Sequence, residues 1–127
     1  MSTPFNPRQG LIIVPARIWG PTGDRVVRMA LDTGATVTLL NAAILMSMGY
    51  DPAVAPDRVR MTTGSGVEFV PRLAISRIRT LEQERRKFPI LCHTLPPTAA
   101  IDGLLGLDFL QRRRLVVDFG RRTVSLK

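Results

Sequence analysis

Apolar positions in this chain fall in short runs, many of them β-branched or alternating, separated by glycine, proline and charged residues. That pattern predicts strands far more often than helices. Leu11 to Trp19 (LIIVPARIW) is the first strand, with Pro15 marking an edge or a bulge because it has no N–H to donate. Gly20-Pro21-Thr22-Gly23-Asp24 is a dense turn signal, and Arg25 to Leu31 resumes the strand pattern, so an N-terminal hairpin is expected. Asp32-Thr33-Gly34-Ala35 interrupts the run before Thr36 to Leu40 turns strand-like again. Asn41, an apolar stretch and then Gly49 predict a short helix capped by Asn41 and stopped by the glycine. Residues 57–63 and 67–73 flank Gly64-Ser65-Gly66 and predict a second hairpin with a flexible tip. Leu73 to Arg79 and Phe88 to Leu95 predict two further strands joined by a charged turn, Glu82 to Lys87, before Pro96-Pro97 breaks the chain. Ile101 to Leu107 reads as a strand running into a glycine turn. Asp108 to Arg113 reads as a short helix whose trailing arginines suit the negative end of its dipole. Arg114 to Phe119 and Thr123 to Leu126 predict a last hairpin around Gly120-Arg121.

The expectation is a mostly β chain with one or two short helices. It forms a single domain over 1–127, with 1–10 as a flexible N-terminal segment. The length of 127 residues fits one domain and suffices to bury roughly two-thirds of the extended surface. A hydrophobic share of 45% with 22% charged excludes a disordered chain. One cysteine excludes an internal disulfide and implies a reducing or indifferent compartment. No apolar run approaches the ~20 residues of a spanning helix, so no membrane span is expected in this chain. Met1 to Gly10 lacks the features of a signal peptide. The expected location is cytoplasmic, with a periplasmic or membrane-anchored one only for a longer precursor.

Charge changes the picture. Eighteen basic residues against ten acidic give +8, and all but two of the basic residues are arginine. A polynucleotide or another anionic surface therefore enters as a partner. The arginines are spread along the chain, and five Phe, one Tyr and one Trp supply few stacking platforms. Such binding is expected to be salt-sensitive and incidental.

Several chemistries fail on inventory. Cys92 and His93 are the lone cysteine and histidine, and as strand neighbours they face opposite sides, so they make no catalytic pair. A zinc site needs more Cys and His than the chain holds, so no metal and no cofactor are expected. Ser65 in Thr63-Gly64-Ser65-Gly66 misses the first glycine of a nucleophile elbow. Asp118-Phe119-Gly120 stands without the other kinase signatures. What remains is Ala30-Leu31-Asp32-Thr33-Gly34-Ala35-Thr36, an aspartate ending an apolar strand, where a charge is costly unless used or paired. Taken alone, the same residues also fit an ordinary Asx turn.

A second segment, Ile101-Asp102-Gly103-Leu104-Leu105-Gly106-Leu107-Asp108-Phe109-Leu110, lies downstream. Together the two segments resemble the retropepsin-like aspartic proteases, in a form similar to the cellular and bacterial branch, over roughly residues 11 to 126. The resemblance implies a closed acid-protease β-barrel lobe with a flap hairpin, paired as a C2 homodimer. It implies that Asp32 is the catalytic carboxylate, that Thr33, Gly34 and Ala35 support the catalytic loop, and that Thr33 bonds across the dimer. Thr63, Gly64, Ser65 and Gly66 fall where the family places its flap, and Leu104-Leu105-Gly106 where it threads a strand behind the aspartate. The implied activity is hydrolysis of peptide bonds in extended polypeptides.

Physical chemistry agrees with the resemblance. Water activated between two carboxylates needs one ionised and one protonated, which a close pair supplies because both cannot ionise together. One Asp-Thr-Gly per chain then requires a second copy, and a twofold axis brings like residue to like. Thr36-Val37 and Leu107 depart from the viral pattern, in which acidic residues and an arginine form an ion pair near the dimer interface. Thr123 to Leu126 is the candidate to hold the dimer instead, and the flap tip lacks a large apolar residue. Two rival readings stay open: an inactive fold of this type used for dimerisation or binding, and a basic nucleic-acid-binding β-domain.

Overall fold

Ten short strands, two α-helices and two 3-10 turns make up a computed structural model that describes residues 2–96 and 98–127. Met1 and Pro97 lie outside the described residues, and with Pro97 half of the expected Pro96-Pro97 break. The strands are β1 (Thr3–Pro4), β2 (Ile13–Gly20), β3 (Gly23–Leu31), β4 (Leu39–Asn41), β5 (Asp57–Thr63), β6 (Gly66–Thr80), β7 (Gln83–His93), β8 (Gly103–Leu105), β9 (Leu115–Asp118) and β10 (Thr123–Leu126). Helix α1 spans Ala42–Ser47 and α2 spans Leu107–Leu110. Among the described residues no helix is long and apolar enough to cross a membrane.

The main sheet runs in the order β2-β3-β8-β4-β7-β6-β5, and β2 also pairs with β6 over Ala16–Trp19 and Arg77–Thr80. The ladder thus returns to its first strand, and the buried apolar side chains form one large cluster and a small second one of Leu39, Val70 and Leu91. Inward positions of β2, Val14, Ala16 and Ile18, are almost fully buried, while Pro15 and Arg17 between them are exposed. Pro15 sits one residue beyond the β6 pairing, where its missing N–H costs nothing, and its carbonyl accepts from the Thr80 hydroxyl at 2.8 Å. The same core takes in Leu45 of α1, Phe109 of α2 and Val124 of β10.

The pattern-based expectations meet the structure with several differences, among them that the strands expected over 67–73 and Leu73 to Arg79 are the single strand β6. The segment 1–10, expected to be flexible, carries β1 paired to β10 and buries Phe5, whose ring meets Phe119 edge-on at 6.0 Å. Thr36 to Leu40 is strand only from Leu39, because Thr36 and Val37 bend to bring Thr38 onto Asp108. The charged turn expected over Glu82 to Lys87 shrinks to Leu81-Glu82, both left-handed, and the rest belongs to β7. Arg85 misleads there: it is partly buried, lies over Phe109 at 4.6 Å and donates to the Phe109 carbonyl at 3.2 Å. Desolvation lowers its pKa, with Arg113 nearby adding to the effect. Finally, α2 stops at Leu110, and left-handed Arg112 turns the chain before the arginines can continue the helix.

The short helix after Asn41 forms as its caps require. The Asn41 side chain accepts from Ala43 N, and Gly49 takes φ +94 just past the helix, where a side chain would be strained. Cys92 is buried in the core, and burial pushes its thiol pKa up. We expect Cys92 to resist a thiol reagent in the native protein and to react at the global unfolding rate. Fast stoichiometric labelling under native conditions would contradict that placement.

Candidate active site

Asp32 leaves the end of β3 just where β8 runs parallel beneath it, Leu31 lying opposite Leu105. The turn is stitched to β8 at one end and to the start of α2 at the other. Asp32 N donates to the Leu105 carbonyl at 3.0 Å, and Leu107 N donates to the Ala35 carbonyl at 2.8 Å. Between those bonds Gly106 has no room for a side chain. A Cβ there would lie 2.8 Å from the Ala35 oxygen and about as close to the Val37 backbone. The Leu104-Leu105-Gly106 segment therefore does pass directly behind the Asp-Thr-Gly turn.

Within the turn, Gly34 N donates to Asp32 Oδ1 at 2.9 Å and Ala35 N to the Asp32 carbonyl at 3.2 Å. This Asx geometry holds the carboxyl against the loop and leaves Oδ2 without a hydrogen-bond partner among the described residues. Asp32 is half-buried, and Thr33 and Gly34 are exposed. A cleft of about 390 Å³ opens beside it, floored by Val37, Leu39, Leu91 and Leu104 and walled by Val59 to Thr62 of β5. A carboxylate at the mouth of an apolar trough can act on an extended chain laid along it.

Hairpin β5–β6 forms that wall. Thr63 pairs with Gly66 across the two-residue tip Gly64-Ser65, and Gly66 takes φ +128. The expected second hairpin is present, with β6 continuing without a break to Thr80. Thr63, Gly64, Ser65 and Gly66 thus sit at its tip. A larger cavity of about 640 Å³ runs along this hairpin from Ser65 by Glu68 and Phe69 to Cys92 and His93 of β7, and Asp32 does not line it. Its His93 stands 4.0 Å from Glu68, and Cys92 beside it is buried although both border this cavity.

Two residues that pattern reading passed over hold the site together. Thr38, fully buried, gives both its N–H and its hydroxyl to Asp108, at 3.0 and 2.7 Å to Oδ1. The same hydroxyl accepts from Gly106 N at 3.1 Å. Asp108 thereby ties α2, β8 and the segment after the Asp-Thr-Gly turn into one unit. The available signals were a lone threonine inside the apolar run Val37 to Leu40 and an aspartate directly after Gly106-Leu107. Asp108→Ala leaves two buried donors of Thr38 unpaired, and we expect a loss of about 2–4 kcal/mol in denaturant unfolding. Thr38→Val keeps the N–H bond to Asp108 but leaves the buried Gly106 N without its acceptor, and we expect a loss of about 1–3 kcal/mol. Equal stability of Asp108→Ala and the parent would refute this role.

Asp102 and Asp118, the other aspartates in glycine-containing triplets, serve structure. Asp102 Oδ2 accepts from Arg28 N at 2.7 Å, and Asp118 Oδ1 from Arg121 N at 2.9 Å.

A β lobe that carries Asp-Thr-Gly at a strand end over a Leu-Leu-Gly segment defines the class of single-lobe, retropepsin-like aspartic proteases. The family model described as "gag-polyprotein putative aspartyl protease" matches residues 20–112, and the chain belongs to that family. Among solved structures, a retropepsin-like aspartic protease from Rickettsia conorii superposes with a TM-score of 0.73 at 18% identity, covering 99% of this chain and 88% of that one. The retroviral protease-like domain of Ddi1 from Leishmania major gives 0.60 at 19% identity, covering 92% of this chain and 94% of that one. These two likenesses establish the shared fold. No curated protein sequence matches the chain.

Proposed function

We propose that the chain is an aspartic endopeptidase that works as a C2 homodimer with one Asp32 from each copy at its centre. The observation that carries the reading is the stitched Asp-Thr-Gly turn, whose carboxyl faces an apolar cleft beneath a glycine-tipped hairpin. One carboxylate of the pair takes a proton from water as it attacks the peptide carbonyl. The other, protonated, hydrogen-bonds the carbonyl oxygen. As the tetrahedral intermediate collapses, a proton passes to the leaving amine. The hairpin serves as the flap, with Gly64 and Gly66 allowing it to close over the peptide and exclude water. An extended substrate would bind by strand-type hydrogen bonds, its side chains seated in the apolar floor. The return of the ladder from β6 to β2 supports reading the lobe as a closed barrel.

The test is incubation with unfolded polypeptides between about pH 4 and pH 7, the range in which a carboxylate pair can share one proton. Cleavage that a statine-type inhibitor blocks and a metal chelator leaves intact is expected. No cleavage of any peptide across that range by dimeric protein would leave a binding or dimerisation module as the reading.

A further inference from the structure

The outer face of the sheet where β3, β2, β6 and β7 lie side by side is built mainly of arginine. Strand register sets Asp24, Trp19, Arg77 and Arg86 in one row and Val26, Arg17, Arg79 and Glu84 in the next, with Arg28 opposite Pro15 beyond them. Five arginines thus stand against two carboxylates. Both carboxylates are already engaged. Asp24 takes Arg17 Nε at 2.6 Å, and Glu84 lies 3.8 Å from Arg77 and 3.5 Å from Arg86. The Arg28 and Arg79 side chains are exposed and form no ion pair among the described residues, although Glu84 stands across from Arg79 and Asp102 accepts from Arg28 N. Trp19 forms the platform beneath. The Arg77 guanidinium lies over its ring at 3.7 Å and that of Arg17 at 5.5 Å, which holds their planes in fixed positions.

We propose that this face docks the sugar–phosphate backbone of a single-stranded nucleic acid. The inference stands apart from the peptidase reading, since Asp32 and the cleft play no part in it. Charge complementarity carries it. Arg77 and Arg79 project from the same side of β6 at about 6.7 Å separation, two residues along a strand, a spacing that successive phosphates of an extended backbone can follow. Arginine forks bind phosphate oxygens in pairs, and prepaid ordering on the Trp19 ring reduces what binding must immobilise. An anionic membrane fits less well. Of the strongly exposed apolar side chains, only Val26 lies within these rows, whereas Phe69 and Phe119 lie elsewhere, so the face offers no apolar anchor. Trp19 is covered by arginine, so backbone contact without sequence preference is expected rather than base stacking.

The experiment measures binding of a labelled 20-nucleotide oligo(U) and oligo(dT) to the full chain by fluorescence anisotropy over a salt series. The variants are Arg28→Gln/Arg79→Gln on the face and Arg8→Gln/Arg121→Gln away from it, which remove the same charge. The face variant should lose at least tenfold in affinity at low salt, and its log–log salt slope should flatten by about 1.4, two contacts at ~0.7 each. The control should change less than about threefold, and Trp19 fluorescence should respond to oligonucleotide in the parent. Equal losses in both variants would reduce the effect to overall charge and overturn the assignment. So would absence of binding, tighter binding to phosphatidylserine vesicles than to oligonucleotide, or equal affinity for polyglutamate.

Discussion

Asp32→Asn should reduce peptide cleavage by about 10²–10⁴-fold, the range associated with loss of a positioned acid–base group. Folding should be nearly untouched. Asn keeps an acceptor at the place of Oδ1, so the Gly34 N bond of 2.9 Å survives, and the Leu105 and Leu107 bonds that stitch the turn are all backbone. Asp32→Ala removes that acceptor too and exposes Gly34 N to water, costing about 0.5–1.5 kcal/mol as well as activity. Paired kinetics and unfolding curves on the two variants check both halves. Substantial cleavage by purified Asp32→Asn would move the chemistry to another residue.

Part of this site is legible in the sequence because it depends on backbone. A turn that must bend sharply after a strand shows as Asp-Thr-Gly, and a strand that must pass beneath it without a side chain shows as Gly106. Both leave a mark in residue type. The support from Thr38 and Asp108 leaves little mark, since a threonine in an apolar run also suits an ordinary strand and an acid in a first helical turn suits any helix. Their bond spans seventy residues of chain, and only the folded sheet brings them together. The same holds for Arg85, whose charge argues for a turn until Phe109 and its carbonyl are seen beside it. Long-range pairing, then, is what local pattern could not carry. The opening residues show it as well, because Thr3–Pro4 becomes a strand only through β10 at the far end of the chain.

Activity should depend on protein concentration, because the lobe is complete in its fold and incomplete in its chemistry. One chain brings one Asp32, and the proposed reaction needs two carboxylates sharing a proton. The positions where viral relatives are expected to place an interface ion pair hold Thr36, Val37 and Leu107, and α2 is fastened instead by Asp108 within its own chain. The proposed dimer would therefore have to be held elsewhere. β1 and β9 are the edge strands of the small sheet, and β10, the strand expected to hold the dimer, is enclosed between them. Two chains of +8 also repel, over about 10 Å at 0.1 M salt, so added salt should tighten the dimer while it weakens polyanion binding. Dilution should lower specific activity well before it unfolds the chain. Mixing wild type with a threefold excess of Asp32→Asn should leave about a quarter of the activity per wild-type chain, since random pairing puts only that share into dimers with two aspartates. Sedimentation and cleavage measured on one dilution series separate the outcomes. Specific activity that stays constant into a range where the protein sediments as a monomer would defeat the shared-proton mechanism, whatever the fold.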